Sequence, residues 1–235
     1  MWWERLHEFE VVQREVSGRL LSFYVEKTRT GFVHACTVED VCHFLTLLPL
    51  PDWDGIFSFV FRQPSSKQLL LKADWGRIAY WAELFSPGEP PCPAGPAIFL
   101  DAVDVNRPLK WSKKLGPDDQ AELLRLSRDG HDIKIGRKSI FVRSTYSSVR
   151  DTQLYRTLPH EIGHWVDYRS RVEVPSSTES PDRSELWEHY WSRPEKERET
   201  FAHRYANRVV ERLSESNAVP FDQISAHREF SSITS

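Results

Sequence analysis

The 235 residues are enough for one large domain or two small ones, and the apolar fraction of 40% is that of a folded globular protein, not a disordered or fibrous one. A formal net charge of −3 gives no electrostatic basis for binding nucleic acid or an anionic membrane, and no apolar run is long enough to span a bilayer. The charged N-terminus lacks the apolar core of a signal peptide, and the three cysteines are an odd number without the spacing of a disulfide framework. We therefore expect a cytoplasmic protein. The alternative is a protein that is secreted without a cleaved signal.

The first half of the chain is predicted to contain two helices followed by short strands. Apolar residues of segment 4–27 recur three or four positions apart, which is typical of an amphipathic helix. A second helix is predicted to begin at Thr37, because a threonine cap followed by Asp40 at the third helical position is a helix-start signal. Four short runs between turn signals predict strands: IFSFVF (56–61), KQLLLK (67–72), GRIAYWAELF (76–85) and AIFL (97–100).

The second half is predicted to be mainly helical after one hairpin. The predicted elements are a helix over 118–128, a hairpin over 131–144, a helix containing TLPHEIGHWVDY (157–168), a short helix over 184–191, a long helix over 194–213 and a loose polar tail from Ser214. This order of elements predicts an α+β protein. Turn-rich segments predict surface loops at 86–96 and 176–184, and the first of them is the best candidate for an internal boundary.

The pentapeptide HEIGH, residues 160–164, carries the strongest chemical signal. Residues four apart share one face of a helix, so His160 and His164 can direct imidazole nitrogens at one point, as a zinc ion requires. Glu161 lies roughly 100° around the helix, where its carboxylate can reach a water bound to the metal instead of the metal itself. Apolar neighbours surround the motif and imply burial, which favours a Zn²⁺ site over a solvated turn of helix.

A third protein ligand is needed, with a fourth position left for water. The helix predicted over 194–213 offers three glutamates. Glu199 is followed by small residues at the neighbouring helical positions, Ala202 and Ala206, which would let this helix approach the first. Glu195 and Glu197 are the alternatives, and Glu197 lies about 200° around the helix from Glu199, so the two cannot both face the metal.

These residues resemble a known group of enzymes. HExxH followed by Glu-x-x-Ala on a later helix is similar to the gluzincin branch of zinc metallopeptidases, and HEIGHWVDY with ETFA is similar to the catalytic domain of anthrax lethal factor and related bacterial domains. The resemblance covers about residues 150–210. It implies a zincin-like fold, with a small twisted mixed sheet, an active-site helix and a C-terminal helical subdomain.

The same resemblance implies roles for individual residues. His160, His164 and Glu199 would bind zinc, Glu161 would be the general base, and a tyrosine upstream of the third ligand would stabilise the oxyanion. Tyr190 is the nearest match for that tyrosine, with Tyr205 and Tyr168 as substitutes. Zinc peptidases that cleave phage-type repressors also carry HEIGH, with an acid placed more like Glu197, so the choice of third ligand stays open.

Two further positions are predicted to support the site. Asp167 lies three residues after His164 and could orient a histidine by accepting its second N–H, or be a simple surface acid. In proteases of this kind an extended substrate lies along a sheet edge, and SIFVRS (139–144), just ahead of the motif helix, is the candidate edge strand.

The sequence therefore predicts a zinc-dependent endopeptidase that hydrolyses a polypeptide substrate through a zinc-activated water, with Glu161 as general base. The alternative is a zinc-containing peptide-binding or regulatory protein with an inactive peptidase-like site. Residues 1–95 would form an N-terminal α/β portion of unknown role, 96–215 the peptidase core and 216–235 a flexible tail, unless the whole chain is a single domain with a long loop. The oligomeric state is not indicated.

Overall fold

A computed structural model describes residues 2–71, 75–85, 92, 94–177 and 182–225 of the chain, so parts of both predicted loops and the last ten residues lie outside the described residues. The described part is a mixed α+β structure, as predicted. The strands are β1 (Trp2–Arg5), β2 (Phe9–Val16), β3 (Arg19–Glu26), β4 (Phe32–Val33), β5 (Ser58–Arg62), β6 (Gly76–Phe85), β7 (Gly95–Asp101), β8 (Val103–Asp104), β9 (Leu109–Ser112), β10 (Asp132–Ile135) and β11 (Ser139–Arg143). The helices are α1 (Val38–Thr46), α2 (Leu50–Trp53), α3 (Ser66–Leu71), α4 (Pro117–Arg128), α5 (Tyr146–Thr152), α6 (Leu158–Tyr168), α7 (Val174–Ser176), α8 (Arg183–Ser192) and α9 (Glu195–Glu215).

A six-stranded mixed sheet forms the centre of the molecule, in the order β1-β6-β7-β5-β3-β2. Strand β7 pairs parallel with β5 and antiparallel with β6. Strands on both sides of the predicted boundary at residue 95 therefore belong to one sheet, and the core on its helical face includes residues from Val16 to Val219. Smaller sheets are formed by β10-β11-β9 and by β4-β8.

The amphipathic helix predicted over residues 4–27 is wrong, because this segment forms β1 and the β2–β3 hairpin. The hairpin turns at Ser17 and Gly18, which have positive φ values of 49° and 74°, a backbone conformation that suits a tight hairpin turn. Leu20 is exposed whereas Leu21 is buried, so the side chains alternate as they do in a strand. The apolar spacing fits both structures, and pairing with β5 selects the strand.

The strand predicted over residues 67–72 is also wrong, because residues 66–71 form the short helix α3. A reciprocal pair of hydrogen bonds starts this helix: the Ser65 N–H donates to the Gln68 side chain, and the Gln68 N–H donates to the Ser65 hydroxyl. This is a capping box, which satisfies two backbone donors at a helix start. The capping box predicted at Thr37 and Asp40 is confirmed, as are the other predicted strands, the 118–128 helix and the 131–144 hairpin.

The helices that follow β11 pack on one face of the central sheet. Residues 146–176 form one continuous helical segment, in which π-helical turns at Gln153–Thr157 and Arg169–Glu173 flank α6. Buried side chains of α6 and α9 join those of the sheet in one core, so α6 lies between the sheet and α9. In the described part of the chain, every helix is too short or too polar to cross a membrane.

The chain beyond α9 is packed as far as it is described, which differs from the loose tail predicted there. The Ile224 N–H donates to the buried carboxylate of Asp40, and the Thr37 hydroxyl donates to the Ile224 carbonyl. Arg150 pairs with the same carboxylate and donates to the carbonyl of Phe221. These contacts place residues 219–225 over the start of α1. Residues 226–235 lie outside the described residues.

Candidate metal centre

Helix α6 carries both histidines of HEIGH and is held in place by its apolar face. Pro159 has no backbone N–H to donate within the continuous helical segment, and it follows directly after the π-helical turn Gln153–Thr157 and Leu158. Leu158, Ile162 and Trp165 are buried in the core. The other face turns His160 and His164 towards an open cavity, where their rings lie with centroids 4.7 Å apart.

Three side chains converge at this point with the spacing of a metal site. The Nε2 atoms of His160 and His164 are 3.1 Å apart, and each lies 3.3 Å from a carboxylate oxygen of Glu199. Two ligand atoms that are each 2.0–2.1 Å from a tetrahedral zinc ion lie about 3.3–3.4 Å apart. Nitrogen lone pairs that face one another repel unless a proton or a cation lies between them. The donor set and its spacing therefore fit Zn²⁺.

Glu199 reaches the histidines because α6 and α9 approach closely. A Cβ atom on Gly163 would lie 3.0 Å from both the Cα and the carbonyl oxygen of Ala202, and 3.1 Å from the Cβ of Tyr205. A side chain at this position would push α9 away by a few tenths of an ångström, since the neighbouring atoms belong mostly to the backbone of α9. The small residues at 163 and 202 thus bring the two helices together. Ala202 is fully buried at this contact, three residues after Glu199.

The alternative glutamates are placed differently. Glu197 is 58% exposed and lies 3.6 Å from Arg193, on the far side of α9 from the histidines. Glu195 lines the cavity, but the described residues show no contact between it and either histidine. Geometry therefore favours Glu199 as the third ligand. Hydrogen bonds from His160 and His164 hold the pKa of the Glu199 carboxyl far below its usual range, so this carboxyl is ionised.

His203 is a residue at this centre that the sequence reasoning missed. It follows Glu199 by one helical turn, and its ring lies with its centroid 4.4 Å from that of His160. His160, Glu199 and His203 also form a possible metal-binding set, with ligand atoms within 4.8 Å of one another. The separations of 3.1–3.3 Å that involve His164 are tighter, so the geometry favours His164 over His203. The spacing of Glu199 and His203 along a helix was the signal available in the sequence.

Glu161 lies beside the histidines and is held by the central sheet. Its Oε2 accepts a hydrogen bond of 2.8 Å from the backbone N–H of Ile78 in β6. Burial raises the pKa of the Glu161 carboxyl above its usual value, against the opposing effect of His160 and His164. A buried carboxylate with one oxygen fixed and its side chain lining the cavity suits proton transfer more than metal binding.

Asp167 does not orient either histidine, which corrects the sequence prediction. One of its oxygens accepts from Arg171 and the other from Arg193, and the carboxylate is fully buried between them. The Nδ1 atoms of His160 and His164 are buried and have no hydrogen-bond partner among the described residues. Asp167 instead joins the end of α6 to Arg193, which lies between α8 and α9.

Tyr190 does not reach the cavity either, although the sequence predicts it as the oxyanion-stabilising residue. It is fully buried behind Tyr80 of β6, and the two hydroxyl oxygens are 3.2 Å apart. Tyr80 lines the cavity in its place. The proposed substitutes are also unsuitable, because Tyr205 donates to Asp52 and Tyr168 packs against Trp165. No local signal in the sequence relates Tyr80 to the motif, since 80 residues separate it from His160.

The predicted edge strand, residues 139–144, is also wrong. Strand β11 is the centre of its sheet, with β10 on one side and β9 on the other, so both of its edges are already paired. The strand beside the histidines is β6. Strand β1 pairs only with Ala82–Phe85 of β6, and no described strand pairs with the same side of residues 76–81. This edge, which no described strand covers, borders a cavity of about 520 Å³ that is lined by His160, Glu161 and Glu199.

Comparisons of the chain with protein-family models, with curated proteins and with solved structures find no match.

Proposed function

We propose that this protein is a zinc-dependent endopeptidase with a zincin-like arrangement around its metal centre. One observation carries the proposal: two imidazole nitrogens and a carboxylate meet at 3.1–3.3 Å, beside a second, buried carboxylate and a strand edge that no described strand covers. The zincin-like arrangement is supported by a mixed sheet, by the helix that carries both histidines beneath strand β6 and by a later helix that supplies the glutamate.

A Zn²⁺ ion held by His160, His164 and Glu199 would polarise a peptide carbonyl and make a water acidic enough to react near neutral pH. Glu161 is the residue that moves the proton. Its carboxylate accepts a proton from the attacking water and then passes it to the nitrogen of the leaving amine. The Ile78 N–H keeps the carboxylate in place during both transfers.

A polypeptide is the substrate class that fits the free edge of β6. An extended peptide can add to a sheet edge through backbone hydrogen bonds, which do not depend on its side chains. The edge at residues 76–81 lies directly along the cavity, and the Ile78 N–H already points outwards from the sheet to Glu161. Such an added strand would present one of its carbonyl groups to the side chains of the metal centre.

Tyr80 is the residue that we propose to stabilise the oxyanion. Its hydroxyl lies near Tyr190, and the ring is fixed by contacts with Tyr168 and Trp191 at centroid distances of 4.7 and 5.4 Å. Burial raises the pKa of the Tyr80 hydroxyl well above its usual value, so this group remains a hydrogen-bond donor. A fixed donor aimed at developing negative charge lowers the barrier to attack.

Replacing Tyr80 with phenylalanine should lower kcat by about a hundredfold, because one donor to the oxyanion is lost while the ring remains. KM should change little, since the Tyr80 ring, which lines the cavity, is kept. Tyr190→Phe is the matched control: it removes the hydroxyl that contacts Tyr80 but does not touch the cavity, and should cost less than tenfold. Steady-state kinetics on a cleaved peptide would measure both. Wild-type kcat in Tyr80→Phe would exclude this role.

The proposed function is tested by metal analysis together with a proteolysis assay. The purified protein should contain one zinc per chain and should cleave an unfolded protein such as casein. Addition of 1,10-phenanthroline should stop cleavage, and added zinc should restore it. A protein that holds zinc but cleaves no member of a broad peptide library would instead be a zinc-containing peptide-binding protein.

A further inference from the structure

A second cavity continues the first along the edge of β6 and is lined by aromatic side chains. Its volume is about 650 Å³, and it shares Arg77, Ile78, Tyr80 and Trp191 with the cavity of the metal centre. We call it the aromatic groove; its further lining includes Trp81, Tyr168, Arg183 and Trp187. The two cavities are therefore adjacent sections of one cleft that follows strand β6.

Three tryptophans of the aromatic groove are exposed to solvent. Trp187 and Trp81 are 49% and 45% exposed, and Trp191 is also exposed. Clustered exposed aromatic side chains of this kind mark binding surfaces, because isolated apolar residues are common on a protein surface but contiguous patches are not. Trp187 and Trp191 lie one turn apart on α8, with ring centroids 6.1 Å apart.

Buried contacts hold the groove in a fixed shape. Tyr190 of α8 is fully buried, and its ring packs edge-on against Tyr168 and Trp191 at centroid distances of 5.2 and 5.3 Å. Arg198 lies over the ring of Trp191, 4.9 Å from its centroid. A preformed groove loses little side-chain entropy when it binds a ligand.

The charge of the lining restricts the ligand. Arg77 and Arg183 border the aromatic groove, and none of the described residues that line it is acidic. Both arginines are already paired with carboxylates outside the lining, Arg77 with Glu4 and Arg183 with Glu173, so a lysine or arginine side chain would lose its water shell without gaining a carboxylate partner. An uncharged ring or a large aliphatic side chain would bury apolar surface against the tryptophans without that cost.

We propose that the aromatic groove binds a large uncharged side chain, preferably aromatic, of the polypeptide substrate close to the bond that is cut. This inference rests on the proposed function and adds the substrate class. Ile78 contacts Glu161, and Tyr80 lies two strand residues further on, about 7 Å away. The preferred side chain therefore belongs to a residue within about two positions of the scissile bond.

The test uses a variant that does not turn over its ligand, so that binding is measured separately from cleavage. The probes are capped Ala/Ser hexapeptides in which a single phenylalanine or lysine is moved along the sequence. With zinc-loaded Glu161→Gln protein, calorimetry should show that phenylalanine at one position tightens binding about tenfold over the parent peptide. Lysine at that position should bring no gain.

Trp187→Ala in the same background should remove the phenylalanine preference, because Trp187 lines the aromatic groove but not the cavity of the metal centre. The matched control is Phe57→Ala, which removes an exposed ring, 48% accessible, from outside the groove and should keep the preference. A preference that survives Trp187→Ala overturns the inference. The inference is also overturned if Trp187→Ala changes the oligomeric state, measured by sedimentation, and leaves peptide binding unchanged. The aromatic groove would then be a contact between copies of this chain.

Cleavage assays with the wild-type protein distinguish this inference from the proposed function. Cleavage at sites without any preference for a large uncharged residue would reject the inference and leave the peptidase in place. Binding that depends on Trp187, in a protein that cleaves none of the peptides, would reject the peptidase and leave the aromatic groove as a peptide-binding surface.

Discussion

Glu161→Gln is expected to reduce peptide hydrolysis by about 10²–10⁴-fold while zinc remains bound, because the substitution removes the base and keeps the three ligands. Glutamine has nearly the same size, and its side-chain oxygen can still accept the hydrogen bond from the Ile78 N–H. It cannot take a proton from water at neutral pH. Hydrolysis of a fluorogenic peptide and zinc content, measured on one preparation, would check both parts of this expectation.

Glu195→Gln is the matched control for this experiment. Glu195 is another glutamate that lines the same cavity, but the described residues show no bond between it and β6 or the histidines. Its substitution should leave hydrolysis within a fewfold of the wild type. If Glu161→Gln cleaves as fast as the wild type, Glu161 is not the general base. An equal loss in both variants would point to the charge of the cavity and not to proton transfer.

The second large effect is expected from Glu199→Ala, which should weaken zinc binding by more than a hundredfold and abolish cleavage. The reason is that Glu199 is the only residue of the three that comes from α9, and its oxygens lie 3.3 Å from both histidine nitrogens. Loss of a residue that merely orients a ligand typically costs 10–100-fold in metal affinity, so loss of a ligand should exceed this range. Competition with a chromogenic chelator would measure the affinity.

Two comparisons make the assignment of ligands specific. Glu197→Ala should leave zinc affinity unchanged, because Glu197 is directed at Arg193 and solvent. If Glu197→Ala weakens zinc binding and Glu199→Ala does not, Glu197 is the third ligand. The chain would then be more similar to the repressor-cleaving peptidases. His164→Ala should lower affinity far more than His203→Ala. If His203→Ala has the larger effect, the set formed by His160, Glu199 and His203 holds the metal.

The close contact between α6 and α9 explains how Glu199, 35 residues after His164, reaches the two histidines. Gly163 lies inside the motif itself, and its lack of a side chain allows the backbone of Ala202 to approach. The arginine bridge through Asp167 and Arg193 supports the same arrangement from the other end of α6. Asp167, predicted from its position to orient a histidine, and Tyr190, which the resemblance relates to the oxyanion, thus act in this chain as supports for the helices.

Local sequence accounts for the features that depend on neighbours within one or two helical turns or one hairpin. The spacing of His160 and His164 places both on one face of α6, and the same rule places Glu199 beside Ala202 on α9. The capping box at Thr37 and the hairpin around Gly136 are likewise local. These features do not depend on how the segment packs against the rest of the protein, because they are defined by residues that are close in the sequence.

The segments that lie beside the candidate metal centre are determined by the tertiary structure. The apolar spacing of residues 4–27 suits a helix or a strand, and backbone pairing with β5 made it a strand. The Ile78 N–H reaches Glu161, and Tyr80 lines the same cavity, because β6 packs against α6. Strand β11 is not an edge strand, because β9 pairs with the side that β10 leaves uncovered. Contacts between residues far apart in the sequence depend on how whole elements pack, and local spacing carries no information about that packing.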